Sequence, residues 1–249
     1  YCSAVVSFLL FLLLLGWTNH LANTQDAQQM AGRWSEKKDV AQISCFFSSK
    51  AEVTEDTIQS FEYSLKNVLQ EASITETSEN PSARLWVDAY SADGKITLVN
   101  GKNTLDANAI GIGGDFFMFH PLKLITGAYF SGNDLMQDYC IIDQDAAWQL
   151  FGSNDVVGMT VYIGNVPHII TGVVQRPDSR MDKAAGLNST VVYVSYETLS
   201  AYGTNNGINH YEIVMPNPVD EFAYGKVKEG IGIDEKNVEI VENSRRYSL

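Results

Sequence analysis

A run of apolar residues at the start of the chain constrains the fold more than any other feature of the sequence. From Ala4 to Trp17, the run is interrupted by Ser7 and Gly16 alone. A membrane-spanning helix needs ~20 apolar residues, and an aromatic residue such as Trp17 is typical of the interface with water. No basic residue precedes the run, and residues 18–23 make a poor cleavage site. We therefore expect residues 1–17 to be part of a transmembrane helix. A secretory signal peptide and a buried soluble helix are the alternatives.

The rest of the chain has the composition of a globular, acidic protein. Its 249 residues include 45% hydrophobic residues, 30 acidic and 17 basic side chains, and carry a net charge of −13. Such a surface disfavours binding to nucleic acid. An acidic segment after the apolar run is also disfavoured as a short cytoplasmic flank. We expect the bulk of the chain to be extracytoplasmic and attached to the cell membrane.

The first third of the globular part combines strands with one amphipathic helix. Thr54 is a typical N-cap residue, and the helix after it has apolar residues at helical spacing on one face. Asp93-Gly94 is a turn signal of β-hairpins. The apolar face comprises Ile58, Phe61, Leu65, Val68 and Leu69. Strands are predicted over residues 40–47, 84–90 and 96–99, with a loop over residues 73–81.

The remaining predicted elements are short strands separated by helices and turns. Gly152 is expected to end one helix, Ser195 to begin another, and Gly164-Asn165 to form a hairpin turn. The predicted strands cover residues 139–142, 156–163, 167–174, 191–194, 210–215 and 238–241. Helices are predicted over residues 145–151 and 220–229, and a loop over residues 176–189. The order strand–helix–strand at both ends, with a β-rich insertion between, predicts an α+β fold with split βαβ units.

The sequence contains no motif of nucleotide binding or hydrolysis. It has neither a P-loop nor a G-x-S-x-G nucleophile elbow. Residues 111–115 are glycine-rich without the spacing of a dinucleotide-binding loop, so we predict a tight turn there. Asp143 and Asp145 flank a helix start, where carboxylates cap the helix; cation binding or acid–base catalysis is the alternative. We therefore predict no catalytic residue, no cofactor and no enzymatic activity.

The histidines and cysteines form no recognisable metal-binding motif. The histidines are His20, His120, His168 and His210. They are scattered along the chain without an H-E-x-x-H or H-x-H pair, so we predict no metal site. Cys2 lies in the apolar run, whereas Cys45 and Cys140 lie in predicted strands and have the character of buried small hydrophobes. A disulfide between Cys45 and Cys140 stays open as an alternative in an oxidising compartment.

Five aromatic side chains between residues 116 and 130 are candidates for a surface that contacts a partner or a substrate. They are Phe116, Phe117, Phe119, Tyr129 and Phe130. Core packing at strand positions is the alternative interpretation. The exposure of these side chains in the folded protein separates the two.

An ordered series of short motifs covers residues 108–175. It comprises a Phe-containing turn, a glycine before Phe-Ser, a strand ending in Asp, a helix closed by Phe-Gly, and a hairpin. The segments are GDFF (114–117), PLKLITGAYFS (121–131), IID (141–143), AWQLFG (147–152), DVVG (155–158), VYI (161–163) and ITGVV (170–174). In this order and spacing the chain resembles the periplasmic core domain of MacB-type ABC transporter permeases. That family also includes lipoprotein-releasing and FtsX-like permeases.

The resemblance implies a division of the chain into subdomains. It implies a porter-like subdomain of residues 36–106 and 190–249, with a β-rich subdomain of residues 107–189 inserted between the two parts. A stalk or linker at residues 18–35 would follow the partial transmembrane helix of residues 1–17. The residues with implied structural roles in the motif are Gly114, Asp115, Gly127, Ser131, Asp143, Leu150, Phe151, Gly152, Gly158 and Gly172.

The resemblance also implies a role in transport. The domain would couple ATP hydrolysis in the cytoplasm to the export or release of an antibiotic, a peptide or a lipoprotein by mechanotransmission. The implied partners are an ABC ATPase subunit or domain, a second copy or a paired permease, and an extracytoplasmic adaptor or cargo. No cofactor is implied. A membrane-anchored sensor or binding module is the alternative function, and a secreted enzyme is a third for which the sequence offers no clustered site.

Overall fold

The computed structural model describes residues 2–23, 26–35, 39–75, 83–176 and 189–244. Its helices are α1 (Cys2–Asn23), α2 (Met30–Trp34), α3 (Glu55–Glu71), α4 (Phe116–Phe119), α5 (Gln144–Phe151), α6 (Tyr196–Tyr202) and α7 (Phe222–Gly230), with 3-10 turns at Asp26–Gln28 and Ser49–Ala51. Its strands are β1 (Val40–Phe47), β2 (Val87–Asn100), β3 (Asn103–Gly114), β4 (Leu124–Gly127), β5 (Tyr139–Asp143), β6 (Thr160–Ile163), β7 (Val166–Val174), β8 (Val191–Ser195), β9 (Thr204–Asn205), β10 (His210–Pro216) and β11 (Val238–Glu242). Most of the predicted loops 73–81 and 176–189 lies outside the described residues.

Two interlocked split βαβ units form one end of the molecule. β10 lies between β1 and β2 and is antiparallel to both, so β1 and β2 are parallel strands connected through α3. β1 in turn lies between β10 and β11 and is antiparallel to both, so β10 and β11 are parallel strands connected through α7. The resulting order β11-β1-β10-β2 confirms the predicted α+β fold with split βαβ units.

The apolar face of α3 packs on one face of this sheet. Ile58, Phe61, Leu65 and Leu69 are buried there, as the helical spacing predicted. They meet β1, β10 and α7 in a shared apolar cluster. The strands and α7 contribute Ile43, Cys45, Tyr211, Ile213, Met215, Ala223 and Val227 to it. Thr54 is the N-cap of α3, as predicted, and its N–H donates to Oγ1 of Thr57 at 3.4 Å.

A six-stranded barrel forms the other end of the molecule. Following hydrogen-bonded neighbours from β2 leads through β3, β8, β5, β7 and β6 and back to β2. Small and branched side chains fill its core together with residues of α5 and α6, in keeping with the interior of a small barrel. The barrel contains β2 and β8, which belong to the two parts of the predicted porter-like subdomain, together with strands of the predicted insertion of residues 107–189. The division into subdomains therefore stays a prediction.

The β2–β3 hairpin is longer than the sequence predicts. β2 continues without a break through Asp93-Gly94, and the chain turns at Gly101-Lys102 instead. The predicted turn is therefore wrong. Gly94 is needed for a different reason: a Cβ atom there would overlap the carbonyl oxygen of Thr204 and contact Leu199 of α6 at 3.0 Å. A glycine inside a strand often marks such a close approach.

The predicted tight turn over residues 111–115 is wrong for a related reason. Residues up to Gly114 belong to β3, and the chain changes direction only at Gly114-Asp115, before α4. A Cβ atom on Gly111 would lie 2.7 Å from the side chain of Leu199. Gly111 thus leaves room for α6, whereas a Cβ atom on Gly113 would overlap the ring of Tyr90, so these glycines serve close packing within the strand.

Several predicted helix ends and turns are confirmed. Ser195 caps α6, and its Oγ accepts from the N–H of Thr198 at 3.1 Å. Gly152 follows α5 with φ +73°, the left-handed conformation that favours glycine at a helix end. Gly164 and Asn165 also have positive φ and connect β6 to β7 in a two-residue hairpin.

Helix α1 contains the apolar run, and its side chains from Val5 to Leu14 are mostly exposed. Over the described residues, no helix combines the length and the apolar character that crossing a membrane requires. The partial transmembrane helix of residues 1–17 therefore stays a prediction.

Cys45 and Cys140 are free thiols in separate cores. Cys45 lies in the sheet core and Cys140 in the barrel core, and both are fully buried. Burial raises the pKa of each thiol to about 12. Both residues therefore act as the small hydrophobes that the sequence predicts, and the alternative of a Cys45–Cys140 disulfide is not realised.

The close approach of α6 to β2 gives a stability prediction. Gly94→Ala should lower the free energy of unfolding by about 1–3 kcal/mol, because the added methyl group overpacks the contact with Thr204 and Leu199. Gly225→Ala in α7 is the matched control, since no atom lies within 4 Å of its Cβ position. It should be neutral or stabilise by about 0.5–1 kcal/mol. Urea unfolding measures both, and equal effects of the two changes would contradict the packing argument.

Candidate functional site

A buried glutamine joins the segment after α1 to the sheet. Gln42 lies in β1 and is 0% exposed. Its Nε2 donates to the carbonyl oxygen of Ala27 at 2.6 Å, and its Oε1 accepts from the N–H of Ala31 at 3.3 Å. One side chain therefore fixes two positions of the segment that lies between α1 and β1. We refer to Gln42 and its bonded partners Ala27, Ala31, Asn243 and Ser244 as the Gln42 junction.

The backbone of Gln42 holds the segment that follows the last strand. Its N–H donates to Oγ of Ser244 at 3.1 Å, and its carbonyl oxygen accepts from the N–H of Asn243 at 2.8 Å. The side-chain amide of Asn243 also donates to Oγ of Ser44 at 2.6 Å. The segments that flank the globular part on both sides thus meet at neighbouring positions of β1. Leaving one of these buried polar groups unsatisfied costs about 1–3 kcal/mol, so the junction resists separation.

Helix α2 extends this junction to α4. Met30 and Ala31 are buried in a cluster with Phe119 and Val214. Arg33 donates from Nη2 to the carbonyl oxygen of Met118 at 2.5 Å. A movement of α2 would therefore reach α4 as well as β1.

The predicted aromatic surface is largely part of the core. Phe116, Phe117, Phe119 and Phe130 are all buried, so the expectation of an exposed surface is wrong for these four residues. Their rings pack between β3, β5 and β10, where core packing was the alternative interpretation. Tyr129 is 37% exposed and stacks on Phe117 with ring centroids 4.5 Å apart. A partner contact at Tyr129 stays a prediction.

The other residues of the motif lie at turns, strand ends and helix ends. Asp115 is the N-cap of α4 and forms an ion pair with Arg84 at 2.5 Å. Leu150 is buried in the barrel core, and Phe151 packs against it. Oγ of Ser131 accepts from the N–H of Asn133 at 3.1 Å. Gly114 ends β3, Gly127 ends β4, Gly152 follows α5, Gly158 precedes β6, and Gly172 of β7 pairs with Gly127.

Asp143 organises the junction between β5, α5 and β8. Its Oδ1 caps α5 by accepting from the N–H of Ala146 at 2.8 Å. Its Oδ2 accepts from Arg176 at 2.9 and 3.1 Å and from the N–H of Val191 at 3.2 Å. Arg176 also pairs with the exposed Asp145 at 2.5 Å. The two aspartates thus cap the helix and hold an arginine, which agrees with the capping interpretation.

An acidic cavity of about 530 Å³ lies between α3 and the start of β2. The carboxyl groups of Glu55, Glu62 and Asp88 line it together with the basic side chains of Lys66 and Arg84 and the apolar side chains of Leu85 and Trp86. Polar groups of both signs next to apolar walls suit a small organic ligand with an apolar body. Sequence reasoning missed this cavity because its walls come from segments about 30 residues apart.

Glu62 and Asp88 share a proton in this cavity. Burial, and next the neighbouring Asp88 carboxylate, together raise the pKa of Glu62 to about 8. Burial also raises the pKa of Asp88, although hydrogen bonds from Glu62 and Tyr211 oppose that effect. Tyr211 donates to Oδ2 of Asp88 at 3.1 Å. The protonated Glu62 therefore serves as a hydrogen-bond donor to Asp88.

Two of the four scattered histidines lie close together in the fold. His120 and His210 lie beside Glu212 of β10, with potential ligand atoms within 4.8 Å of one another. His20 is exposed on α1, and the buried His168 contacts Oγ1 of Thr198 through Nε2 at 3.2 Å. The sequence signal that could have revealed this cluster was the spacing of His210 and Glu212, because alternate residues of a strand share a face.

A split βαβ sheet is joined to a six-stranded barrel, and the segments on both sides of the globular part are held at one strand. The chain belongs to the family of MacB-like periplasmic core domains, because the model of that family matches residues 7–240. Membership confirms the resemblance of the motif series and makes the chain an extracytoplasmic domain.

Known relatives and one solved structure agree with this assignment. The macrolide export ATP-binding/permease protein MacB of Chromobacterium violaceum is 31% identical over 99 residues, which are 39% of this chain and 15% of that protein. The protein of the same name from a Shewanella species is 32% identical over 120 residues, or 46% of this chain and 18% of that protein. The periplasmic region of MacB from Actinobacillus actinomycetemcomitans has the same fold, with a TM-score of 0.50 and 20% identity over 81% of this chain and 88% of that chain. The chain thus spans less than a fifth of the length of these two sequence relatives.

The role of Asp143 gives a second stability prediction. Asp143→Ala should lower the free energy of unfolding by about 2–4 kcal/mol, because it removes the cap of α5 and the buried acceptor of both Arg176 and the N–H of Val191. Asp145→Ala is the control, since its carboxylate pairs with the same arginine at the surface and should cost less than about 1 kcal/mol. Chemical denaturation measures both, and equal losses would show that burial of the pair is not the cause.

The raised pKa of Glu62 gives a pH prediction. In the folded protein Glu62 keeps its proton up to a pH of about 8, whereas in the unfolded chain it loses it near the ordinary value of 4.5. The folded state binds more protons between these values, so the contribution of Glu62 to stability falls as the pH rises through this window.

Glu62→Gln should therefore be more stable than the wild type at pH 8.5 and differ little from it at pH 4. Urea unfolding at both pH values measures the difference, with Glu71→Gln on the exposed end of α3 as the control. An identical pH dependence of wild type and Glu62→Gln would refute the shared proton.

Proposed function

We propose that this domain couples ATP hydrolysis in the cytoplasm to the export or release of a substrate by mechanotransmission. The ATPase would be a separate subunit or domain of the transporter, and the substrate an antibiotic, a peptide or a lipoprotein. Family membership and relatives that are named as macrolide export ATP-binding/permease proteins support this function.

The Gln42 junction is the observation that carries the proposal. It ties the segment after α1 and the segment after β11 to the same strand through buried hydrogen bonds. Because β1 pairs with β10, β10 with β2, and β2 with β6 of the barrel, a force applied at β1 is passed along continuous strand pairs. Such a path suits the transmission of a movement from the membrane side to the barrel.

Helix α1 is the proposed membrane anchor. Its exposed side chains from Val5 to Leu14 are apolar, and Trp17 beyond them is 62% exposed. An apolar helix surface with an aromatic residue at its edge suits a lipid environment. Residues 18–35 would then form the stalk that carries a movement of this helix to the junction.

The proposed partners follow from the same arrangement. Two copies, or a pair of related permeases, would approach each other as the ATPase closes. The porter-like and β-rich subdomains would contact an adaptor or the cargo. The acidic cavity beside Glu62 and Asp88 is the proposed contact for the cargo, because its polar groups lie next to apolar walls.

A cargo-independent experiment tests the coupling. A spin label at Leu135→Cys, which is 102% exposed, reports the distance between two copies of the full-length permease reconstituted with its ATPase. Cys45 and Cys140 are buried, so a background in which Cys2 and any cysteine outside these 249 residues are replaced by serine directs the label to position 135. In the wild type we expect the distance to change when ATP is added. Gln42→Leu should abolish this change, because it removes both side-chain bonds to Ala27 and Ala31.

Gln149→Leu is the matched control, because Gln149 is an exposed residue of α5, which packs on the barrel and not on the junction. Circular dichroism at the assay temperature checks that Gln42→Leu, with an expected stability loss of about 1–3 kcal/mol, stays folded. An ATP-dependent change that persists in folded Gln42→Leu would rule out the junction as the coupling element. If the distance in the wild type does not change with ATP but changes when a ligand is added, the result favours the sensor or binding module.

A further inference from the structure

Three side chains with metal-binding chemistry meet on the sheet face opposite α3 and α7. His210 and Glu212 occupy alternate positions of β10, while Tyr211 between them points into the core beneath α3. His120 follows α4 and reaches the same face from the β-rich part of the chain. The cluster therefore connects two parts of the molecule that are distant in sequence.

The donor atoms are close enough to share one ion. Nε2 of His120 lies 2.5 Å from Oε2 of Glu212, and Nε2 of His210 lies 3.8 Å from Oε1 of the same carboxylate. All three groups offer an atom within 4.8 Å of the others. Ligands around a tetrahedral zinc ion at about 2.0–2.2 Å are separated by roughly 3.3 Å, so small side-chain rotations bring these atoms to the required spacing.

His210 has an unsatisfied nitrogen that points to a missing ligand. Its Nε2 is buried and has no hydrogen-bond partner, although its side chain lies beside a carboxylate. The ring is held in place by stacking on Phe46, with ring centroids 4.6 Å apart and planes inclined by 14°.

The surroundings orient the other two ligands. The ring of His120 stacks on Phe116 at a centroid distance of 4.6 Å. Ser44 donates from Oγ to Oε1 of Glu212 at 3.0 Å. Such outer contacts fix ligand orientation in metal sites and contribute to affinity. The side chain of His120 is 24% exposed, so the site opens toward solvent on this side.

We propose that His120, His210 and Glu212 form a binding site for one divalent transition-metal ion, with zinc as the best match. Two imidazoles and one carboxylate are a preferred ligand set for zinc, and three protein ligands leave a fourth position for water or for a group from a partner. The bound ion would fix α4 and its aromatic cluster to β10. Without an ion, the His120–Glu212 pair holds this contact alone.

Metal binding to the purified full chain in detergent tests the site. After removal of metal with EDTA, calorimetric titration with zinc should show one ion per chain, and Co²⁺ in its place should give the intense visible absorption of a tetrahedral site. His120→Gln and His210→Gln should each weaken zinc binding by at least about 10–100-fold, because each removes one of three ligands. His20→Gln, at an exposed histidine of α1, should bind zinc like the wild type.

The site requires that His120→Gln and His210→Gln both weaken zinc binding. Circular dichroism confirms that each variant is folded, and glutamine at position 120 preserves a hydrogen-bond donor for Glu212. Loss of binding in both folded variants supports the shared site. No binding by the wild type, binding that survives in both variants, or loss in only one of them overturns it. If either variant is unfolded, Ser44→Ala serves instead: it should weaken zinc binding by loosening Glu212, and unchanged binding counts against the site.

Discussion

The structure depends on one long strand that belongs to two cores. β2 pairs with β10 over its first residues and with β3 from Ala89 to Asn100, and Leu98 and Val99 near its end pair with β6 to close the barrel. The sheet core under α3 and α7 and the barrel core around α5 are thereby parts of one continuous hydrogen-bonded structure. Gly94, near the middle of this strand, allows α6 and β9 to pack where the two parts meet. A strand shared in this way cannot move in one core without displacing residues of the other.

This continuity gives the Gln42 junction its significance. A buried polar side chain in an apolar strand is costly unless it is hydrogen-bonded; the side chain of Gln42 bonds to the segment after α1, and its backbone bonds to the segment after β11. The His120–His210–Glu212 cluster on the same sheet face forms a second link, between β10 and α4. The proposed coupling path and the proposed ion thus lie on one side of the sheet, whereas the acidic cavity with Glu62 and Asp88 lies beside α3.

Local features were predictable where short-range physics decides them. The face of α3, the caps at Thr54, Asp143 and Ser195 and the turn at Gly164-Asn165 follow from periodicity and from side-chain bonds within a few residues. The glycines of β2 and β3 were misassigned as turns because the same residue type serves turns and close packing. The packing role of Gly94 and Gly111 depends on the side chain of Leu199, which is about 100 positions away from Gly94.

By itself, the sequence determined the α+β class, the order of most elements and, through an ordered motif series, the family. The tertiary structure decided which side chains meet. Phe116, Phe117, Phe119 and Phe130 are buried because β3, β5 and β10 converge on them, and exposure cannot be read from an aromatic-rich segment. Gln42 and the His120–His210–Glu212 cluster acquire their partners from residues up to 202 positions away. Such contacts arise from strand pairing across the whole chain, a long-range effect that local residue patterns do not encode.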